Sequence, residues 1–571
     1  MRLRPVPGLV ALVLAGPIAL GLVWTGLPAL GILPAAGATG PSLAPFAQLL
    51  ETPGLARSVL LSLCTGLAAT ALSLALVLVL LAGWLDSAPF TGLRRLLSPL
   101  LAVPHAAAAL GLALVIAPSG LLIRLAAPFD ADLARPPDWL ILQDPLGLSL
   151  VLGLVLKEVP FLLLMALAGL NQIDAQPRMR LAQSLGYGRV AGFCLAVAPP
   201  LYRQMRLPVL AVLAFSTSVV DMALILGPTL PPTLAVQVTR WMGDPDLALR
   251  LKGAAGAVLQ LGVSLAAIAV WIAGERLAAR LWRTLGSRGV RARKDGIVRG
   301  TVLALVAALA LLALAGLAAL VLWSVAAGWR YPDLLPARIV ATHWLQAAPD
   351  LGTAISTTLA AGLAASLVAG VLVVALLQDR QGEEKDAGHD AERADGRASR
   401  WLDRLMFLPL LVPQVAFLFG LQVLFLDIGL DGSLPAVMLA HLVFVLPYVF
   451  LSLRDPWSAL DPRFEQVATS LGASRARVFW RIRLPLMLPA LATALALGLA
   501  VSVSLYLPTL LIGGGRVVTL TTEAVALASG GNRPLIAVHA LMQLLLPCLA
   551  FAAAALAPRL LLPRLHGRRP T

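Results

Sequence analysis

Polar and ionisable side chains interrupt three long apolar segments of this sequence, and they are the residues best suited to chemistry there. The runs that hold them read Leu-Val-Leu-Lys-Glu-Val-Pro-Phe, Ser-Thr-Ser-Val-Val-Asp and Ser-Val-Ser-Leu-Tyr. Charge within a membrane-spanning segment is costly, so such residues usually mark a solute path or pairs between helices. We expect the following side chains to line a translocation path: Lys157, Glu158, Ser216, Ser218, Asp221, Ser502, Ser504 and Tyr506.

Each of these candidates also has a structural interpretation. Lys157 and Glu158 are adjacent, and adjacent residues point about 100° apart on a helix, so they do not form one ideal pair. Each then pairs with another helix or lies near the membrane edge. Asp221 and the serines are also consistent with helix capping or with hydrogen bonds between helices. Three histidines lack the spacing of metal ligands, so we expect no metal and assign them to packing or hydrogen bonding: His105, His441 and His539.

A basic, amphipathic stretch over residues 461–485 lies between two apolar segments and predicts a helical hairpin. Asp461 can cap a first helix, and Gly472 ends it. Ser474 can cap an arginine-rich second helix, which Pro485 is expected to end because the residue before a proline avoids the helical region. Two short helices joined at a glycine form a polar element that a partner protein can hold and move.

A second copy of this hairpin lies about half the chain earlier. The shared spacing joins a glycine, a phenylalanine and a proline: Gly186, Phe193 and Pro199 in one copy, and Gly472, Phe479 and Pro485 in the other. A proline followed seven residues later by a glycine also recurs: Pro104 and Gly111, and Pro413 and Gly420. These matches predict two repeated halves.

The composition is that of a membrane protein. Hydrophobic residues make up 59% and charged residues 13% of the chain, and the mean hydropathy is +0.87; a soluble domain carries about 25% charged residues. The formal charge of +15 lies in short runs beside apolar spans, which is typical of cytoplasmic loops rather than of nucleic-acid binding. None of the four lysines follows a glycine, so a Walker A loop is absent and ATP hydrolysis is expected on a separate chain.

The sequence therefore predicts an all-α, polytopic membrane protein with about twelve transmembrane helices in two repeated six-helix halves. The spans predicted in the first half are 7–33, 58–85, 97–117, 146–170, 207–226 and 253–274. Those predicted in the second half are 302–323, 351–377, 405–425, 434–453, 488–512 and 535–557.

The same pattern predicts the domain boundaries and the orientation. The first half covers residues 1–274 with its hairpin loop at 174–203, and the second covers 301–558 with its loop at 461–489. A basic linker, 275–300, joins them, a charged loop without apolar periodicity covers 379–400, and a basic tail covers 559–571. The placement of basic residues and the even span count put the hairpins, the linker, the loop at 379–400 and both termini in the cytoplasm. They put the linker beside lipid head groups and the proline-rich loop at 130–144 on the external side.

The hairpins resemble the EAA loop in the permease subunits of bacterial ABC importers that use a separate solute-binding protein. That loop reads Glu-Ala-Ala, then three residues to Gly, and ends in a hydrophobic-x-Leu-Pro sequence. Neither copy keeps the opening Glu: Arg180 and Gln466 stand there, and Glu465 is one residue off register. The resemblance assigns ATPase coupling to Arg180, Ala182, Gly186, Phe193, Pro199, Glu465, Gln466, Ala468, Gly472, Ala473, Phe479 and Pro485.

Two such domains fused in one chain are similar to the permeases of ferric-iron and thiamine importers. The resemblance implies two copies of an ABC ATPase subunit, an external solute-binding protein, the bacterial inner membrane as location, and no cofactor in this chain. Sulfate, polyamines and other small solutes remain open. Two other classes of protein stay as alternatives: a secondary transporter, which also uses internal repeats, and a polytopic membrane enzyme, which would need a catalytic loop at the membrane face.

Overall fold

The computed structural model describes residues 5–34, 37–289, 291–386 and 401–561. The predicted basic tail at 559–571 and the charged loop at 379–400 lie partly outside these ranges. Helices dominate the fold, as expected for a chain that must satisfy its backbone hydrogen bonds within a bilayer. A short antiparallel ribbon pairs the strands Ala326–Ala327 and Arg338–Ile339. The all-helical membrane fold is confirmed.

The first half contains long helices joined by short ones. Its helices are Val6–Ala29, Ala44–Leu50, Leu55–Trp84, Ala88–Leu97, His105–Ile116, Leu121–Ala126, Leu148–Leu170, Ala175–Ser184, Arg189–Ala196, Ala198–Ser218, Asp221–Leu226, Leu234–Met242 and Leu247–Ser287. The last of these helices continues well past residue 274, so the non-helical part of the linker is short.

The second half repeats this order. Its described helices are Gly296–Val325, Thr342–Asp386, Leu408–Leu411, Gln414–Asp427, Leu434–Ser458, Arg463–Ser470, Arg475–Val478, Leu484–Ser504, Leu507–Gly513, Leu520–Ala528 and Arg533–Leu561. The prediction of a loop from residue 379 is wrong for 379–386, which continue a helix. Arg380 explains part of this extension, because its guanidinium forms a 2.8 Å ion pair with Asp403.

Ten helices of the described ranges are long and apolar enough to cross a membrane, or eleven with the bent pair Trp401–Leu411 and Gln414–Asp427, whose axes differ by 89°. The fifth predicted span, 207–226, is not among these, because it coincides with two shorter helices that break between Ser218 and Asp221. The structure thus supports the repeated plan, while the count of twelve stays a prediction.

The two halves exchange their first spans. Val6–Ala29 of the first half packs against Gln414–Asp427 of the second, and Gly296–Val325 of the second half packs against His105–Ile116 of the first. Each half therefore packs its first span against a helix of the other half.

Small residues make this exchange possible. A Cβ atom on Gly420 would lie 1.9 Å from the carbonyl oxygen of Gly21, and one on Gly111 would lie 3.0 Å from the carbonyl carbon of Gly316. The Gly420 N–H also donates to Thr25 Oγ1 at 2.9 Å. Close backbone contact at small residues is a common way to join helices in lipid. The recurring glycines in the sequence are therefore the contact points of the exchanged spans.

Candidate functional site: two helical hairpins and the broken spans that follow them

The second hairpin begins and bends where the sequence predicts. Asp461 Oδ1 accepts the Arg463 N–H at 2.9 Å, at the start of the first short helix. Gly472 has φ +82°, and the Ala473 N–H returns to the Ala468 carbonyl at 3.0 Å. This left-handed glycine with a returning hydrogen bond is the usual way to end a helix sharply. Nothing lies within 4 Å of a Cβ placed on Gly472, so the bend is open to a partner.

The second helix of this hairpin differs from the prediction at its end. Ser474 accepts the Arg477 N–H at 3.3 Å and caps it, as expected. Pro485 does not stop the helix: the chain passes through a wide π-type turn, Phe479–Arg483, directly into the span Leu484–Ser504. The prediction was wrong because a wide turn redirects the backbone hydrogen bonds, so that a proline without an N–H is tolerated at the start of the next helical segment.

An ion pair fixes the second hairpin to its own span. Glu465 Oε1 accepts from Arg483 Nη1 at 2.7 Å, and the Arg483 side chain is 2% exposed. The guanidinium also lies 4.5 Å from the centre of the buried Trp457 ring. Glu465 is therefore held within the chain and orients the hairpin. The neighbouring Gln466, which stands where the resembling family has its Glu, is exposed.

Apolar side chains remain uncovered around this hairpin. They are large and exposed, and they lie on its first helix, at its bend and in the π-type turn: Phe464, Val467, Leu471 and Trp480. An exposed apolar patch rimmed by arginines is typical of a protein interaction site. Phe479 and Ala473 are half-buried and Ala468 is buried, so these three predicted coupling residues shape the hairpin from inside.

The first hairpin has the same bend. Gly186 has φ +86°, and the Tyr187 N–H returns to the Ala182 carbonyl at 3.2 Å. Ala182 and Phe193 are buried, whereas Arg180 is exposed at the position of the family's Glu. Pro199 lies near the start of the helix Ala198–Ser218. The structure therefore places the predicted coupling residues of both copies in equivalent positions.

The support of the first hairpin comes from the linker between the halves, which sequence reasoning missed. The Val190 N–H donates to Asp295 Oδ2 at 2.9 Å, in place of the cap that Ser474 supplies in the other copy. Two further contacts join the linker to the bend: the Gly188 N–H donates to the Arg291 carbonyl at 2.9 Å, and Arg293 Nε donates to the Gly186 carbonyl at 3.1 Å.

One residue of the first hairpin allows this close approach. A Cβ atom on Gly188 would lie only 2.2 Å from the Ala292 carbonyl oxygen. The sequence signal was the replacement of the capping serine by glycine at this position. Nearby, burial raises the pKa of the Cys194 thiol to about 11, so the thiol stays protonated and poorly reactive near neutral pH.

At membrane depth, the span after each hairpin breaks at an equivalent place. The helices Ala198–Ser218 and Leu484–Ser504 stop, and short helices follow after two residues. The carbonyls at the breaks find side-chain donors: Gln260 Nε2 donates to Thr217 O at 3.1 Å, and Thr521 Oγ1 donates to Val503 O. Irregular backbone is tolerated within a bilayer only where protein or a water-filled cavity satisfies it. These breaks therefore mark the inside of the protein.

The serines predicted to line the path differ in whether their hydroxyl groups have a hydrogen-bond partner. Ser218 and Ser504 donate to backbone carbonyls of their own helices, those of Ala214 and Ala500, at 2.8 and 2.9 Å. In the described chain Ser216 Oγ is buried without a hydrogen-bond partner. The first two serines thus have the local interaction expected in membrane helices.

A histidine bridges the break in the second half. His441 Nδ1 lies 2.7 Å from Ser502 Oγ, and its Nε2 lies 2.9 Å from Thr509 Oγ1. His441 thereby joins the two parts of the broken span, in line with the hydrogen-bonding role expected for it. Sequence reasoning did not identify Thr509 as its partner, because the two residues lie on helices that meet only in the folded protein.

Lys157 and Glu158 point in different directions, as adjacent helical residues must. Lys157 Nζ donates to the carbonyls of Leu100 and Val103 at 3.0 and 2.5 Å, at the end of a short 3₁₀ turn. Glu158 is also buried, at 5% exposure. Asp221 is buried at the start of the short helix Asp221–Leu226, and the half-buried Tyr506 lies at the corresponding break of the second half.

Comparisons with known proteins give relatives of one kind. The model of a family described as binding-protein-dependent transport system inner membrane component matches residues 391–562. The inner membrane ABC transporter permease protein YnjC of Escherichia coli (strain K12) is 33% identical over 518 residues, which cover 90% of each chain.

Shorter similarities involve smaller permeases. The molybdenum transport system permease protein ModB of Mycobacterium tuberculosis is 35% identical over 136 residues, 22% of this chain and 52% of that protein. The spermidine/putrescine transport system permease protein PotC of Haemophilus influenzae is 31% identical over 94 residues, 16% of this chain and 37% of that protein.

Proposed function

The chain belongs to the ABC transporter permease family, whose members are inner membrane components of binding-protein-dependent transport systems, and from this membership we propose that it couples ATP hydrolysis on separate subunits to the import of a small solute. The chain is a multi-pass protein of the bacterial inner membrane and a transport subunit. In the proposed assembly, each of the two hairpins receives one ATPase subunit, and an external binding protein delivers the solute.

The observation that carries this proposal is the pair of exposed hairpins with the same left-handed glycine bend, Gly186 and Gly472. Each hairpin leads directly into a span that breaks beside the interface between the halves. Movement of a hairpin by a bound ATPase subunit would therefore be transmitted, as a rigid-body motion, to the break in the span that follows it, at residues 219–220 or 505–506. A secondary transporter has no use for two such hairpins, and the membrane enzyme would need a catalytic loop that the described chain does not offer.

The test is purification of the tagged chain from its native membranes. We expect an ATP-hydrolysing subunit to copurify in two copies for each chain, with ATPase activity that rises when solute-loaded binding protein is added. Leu471→Asp tests the proposed docking surface, because a charge at this exposed apolar residue should weaken the association of the ATPase without affecting the fold. A purified, correctly folded chain that never associates with an ATPase subunit would overturn the proposal.

We also propose that the hairpins, the linker, the loop at 379–400 and both termini face the cytoplasm. The support is the concentration of arginines in the hairpins and the linker, since basic residues are retained on that side. A cysteine introduced at Ser287 or Ala387 should resist an impermeant thiol reagent in intact cells, whereas one at the exposed Asp138, in the loop predicted to be external, should react. Labelling at Ser287 in intact cells would contradict this orientation.

The solute stays open at this level. The relatives named for molybdenum and for spermidine and putrescine transport match only part of the chain, and the similarity to ferric-iron and thiamine permeases rests on the fused architecture. All of these solutes are therefore candidates, and they differ in charge: polyamines, thiamine and ferric iron are cationic, whereas molybdate and sulfate are anionic.

A further inference from the structure

Both hairpins expose a pair of apolar side chains beside the bend. Leu181 and Leu185 precede the bend glycine of the first hairpin by five residues and one residue, and Val467 and Leu471 precede that of the second by the same intervals. All four side chains are exposed. A partner that binds the apolar surface of the second hairpin therefore finds an equivalent surface on the first.

The cationic side chains that follow the bend differ between the two copies. In the second hairpin they are three exposed arginines: Arg475, Arg477 and Arg481. The first hairpin keeps Arg189 at the first of these positions and has Ala191 and Leu195 at the other two. Arginine is enriched in protein interfaces, where its planar guanidinium binds carboxylates in a fixed geometry. On this side of the bend, the first hairpin's own sequence therefore lacks two groups that the second presents to a partner.

The linker between the halves places cations at the first bend. The Gly188 N–H donates to the Arg291 carbonyl at 2.9 Å, and Arg293 Nε donates to the Gly186 carbonyl at 3.1 Å. A Cβ atom on Gly186 would lie 2.8 Å from Arg293 Nη2, whereas nothing lies within 4 Å of one on Gly472. A subunit that contacts the first bend as another contacts the second must therefore also contact the linker.

The cations of this linker segment are available to such a subunit. Arg291, Arg293 and Lys294 are exposed, and among the described residues no carboxylate forms an ion pair with any of them. The adjacent Asp295 accepts the Val190 N–H instead. Positive charges beside an exposed apolar pair are complementary to a partner surface that carries carboxylates around an apolar pocket.

We propose that residues 291–294 of the linker form part of the surface that binds an ATPase subunit at the first hairpin, and that this subunit presents carboxylates to them. The inference rests on the proposed coupling function. The linker thus takes the place of the two arginines that the first hairpin lacks. Anionic lipid head groups also attract basic segments. The contacts at Gly186 and Gly188 hold the linker at the bend next to Leu185, however, and this exposed apolar surface favours a protein partner.

The test measures binding of the copurifying ATPase subunit to the purified chain in nanodiscs of neutral phosphatidylcholine. Arg291→Glu combined with Lys294→Glu reverses two charges whose side chains form no hydrogen bond within the described chain, so the linker should keep its fold. In a Leu471→Asp background, which leaves the first hairpin as the intact site, association should slow roughly tenfold and become less dependent on salt, because charges at the rim of an interface act mainly on the association rate. In a Leu185→Asp background, the same two changes should have little effect.

The matched control is Arg276→Glu combined with Arg280→Glu. It makes the same change of charge at exposed positions of the same linker, whose side chains form no hydrogen bond with the first hairpin in the described part of the chain. This control should bind the ATPase subunit like the parent protein. Unchanged binding after reversal at Arg291 and Lys294, or an equal loss in the control, would overturn the inference.

The lipid of the nanodisc separates the two kinds of occupant. An effect of the Arg291 and Lys294 reversal that appears only in nanodiscs with anionic phosphatidylglycerol would also overturn the inference, and it would assign these cations to lipid head groups. Failure of the proposed function is distinguishable from both results, because the parent chain itself would then bind no ATPase subunit.

Discussion

The two hairpins share one bend and differ in what supports it. The second is self-contained: Ser474 caps its second helix, and the buried pair of Glu465 and Arg483 ties it to its own span. The first has Met179 and Val197 at the positions of that pair, both packed in the apolar core. Its missing cap is supplied by Asp295, from the linker between the halves.

This difference shows how a fused repeat diverges. A linker leaves the first half and enters the second, and among the described residues it lies beside the first hairpin. The polar supports of the first hairpin's own sequence are therefore dispensable. Arg299 extends the connection, because its guanidinium lies 5.3 Å from the Trp84 ring and its carbonyl accepts from the Trp84 indole at 2.9 Å. The first hairpin is therefore joined to the start of the second half, whereas within the described ranges the second hairpin has no such connection to the first half.

The largest effect is expected at the two bends. Gly472→Pro cannot adopt φ +82°, because proline fixes φ near −65°, and the second helix would be re-aimed. We expect solute-stimulated ATP hydrolysis to be abolished. Gly186→Pro should also impair it, but less, because the linker still holds the first hairpin and because the second copy matches the EAA loop better.

The measurement is ATPase activity of the purified complex with solute-loaded binding protein. Gly429 is the matched control: it also has positive φ, with open space around it, and it lies outside the hairpins, so Gly429→Pro should leave the coupling intact. Normal transport by a stably inserted Gly472→Pro protein would contradict the coupling role.

The ion pair of the second hairpin should give the next largest effect. Glu465→Met leaves the Arg483 guanidinium buried without its carboxylate, and loss of one partner of a buried pair costs about 3 kcal/mol or more. The double variant with Arg483→Val reproduces the apolar solution of the first hairpin and should be more stable than Glu465→Met alone. Thermal unfolding of the purified protein in detergent measures both. A double variant less stable than the single one would show that the two supports are not interchangeable.

Removal of the two helix caps should give smaller effects, each confined to a different hairpin. Asp295→Ala removes the side-chain acceptor of the first hairpin, and Ser474→Ala removes that of the second; loss of a cap typically costs about 1 kcal/mol. Amide hydrogen exchange should accelerate over residues 189–196 in the first variant and over residues 475–478 in the second. Equal exchange of the first hairpin in both variants would show that the linker does not support it.

The smallest local effect is expected for an attempt to restore the missing cap in cis. Gly188→Ser supplies a hydroxyl like that of Ser474, but its Cβ would lie 2.2 Å from the Ala292 carbonyl oxygen. We expect the linker to be displaced while the helix remains capped, so exchange should rise at the linker residues 291–295 and change little at 189–196. Unchanged exchange at 291–295 would contradict the tight contact.

The sequence by itself determined the membrane class, the repeat and the location of the bends. Apolar spans and left-handed glycines are local features, since hydropathy acts over about 20 residues and Gly472 needs only its own backbone to turn. The exposed positions of Arg180 and Gln466 also follow from the hairpin pattern. The end of the second hairpin helix could not be read in this way, because Pro485 permits two continuations and the π-type turn selects one.

Tertiary structure decided which polar groups meet. Asp295 lies about 100 residues from Val190 and accepts its N–H, Lys157 donates to the carbonyls of Leu100 and Val103, and His441 contacts Ser502 and Thr509. Nothing in the local pattern of a span specifies such partners, because in lipid a polar side chain only requires some partner, and packing of the helices determines which one is within reach. The exchange of the first spans sets that packing, and it depends on backbone contact at Gly21, Gly111, Gly316 and Gly420.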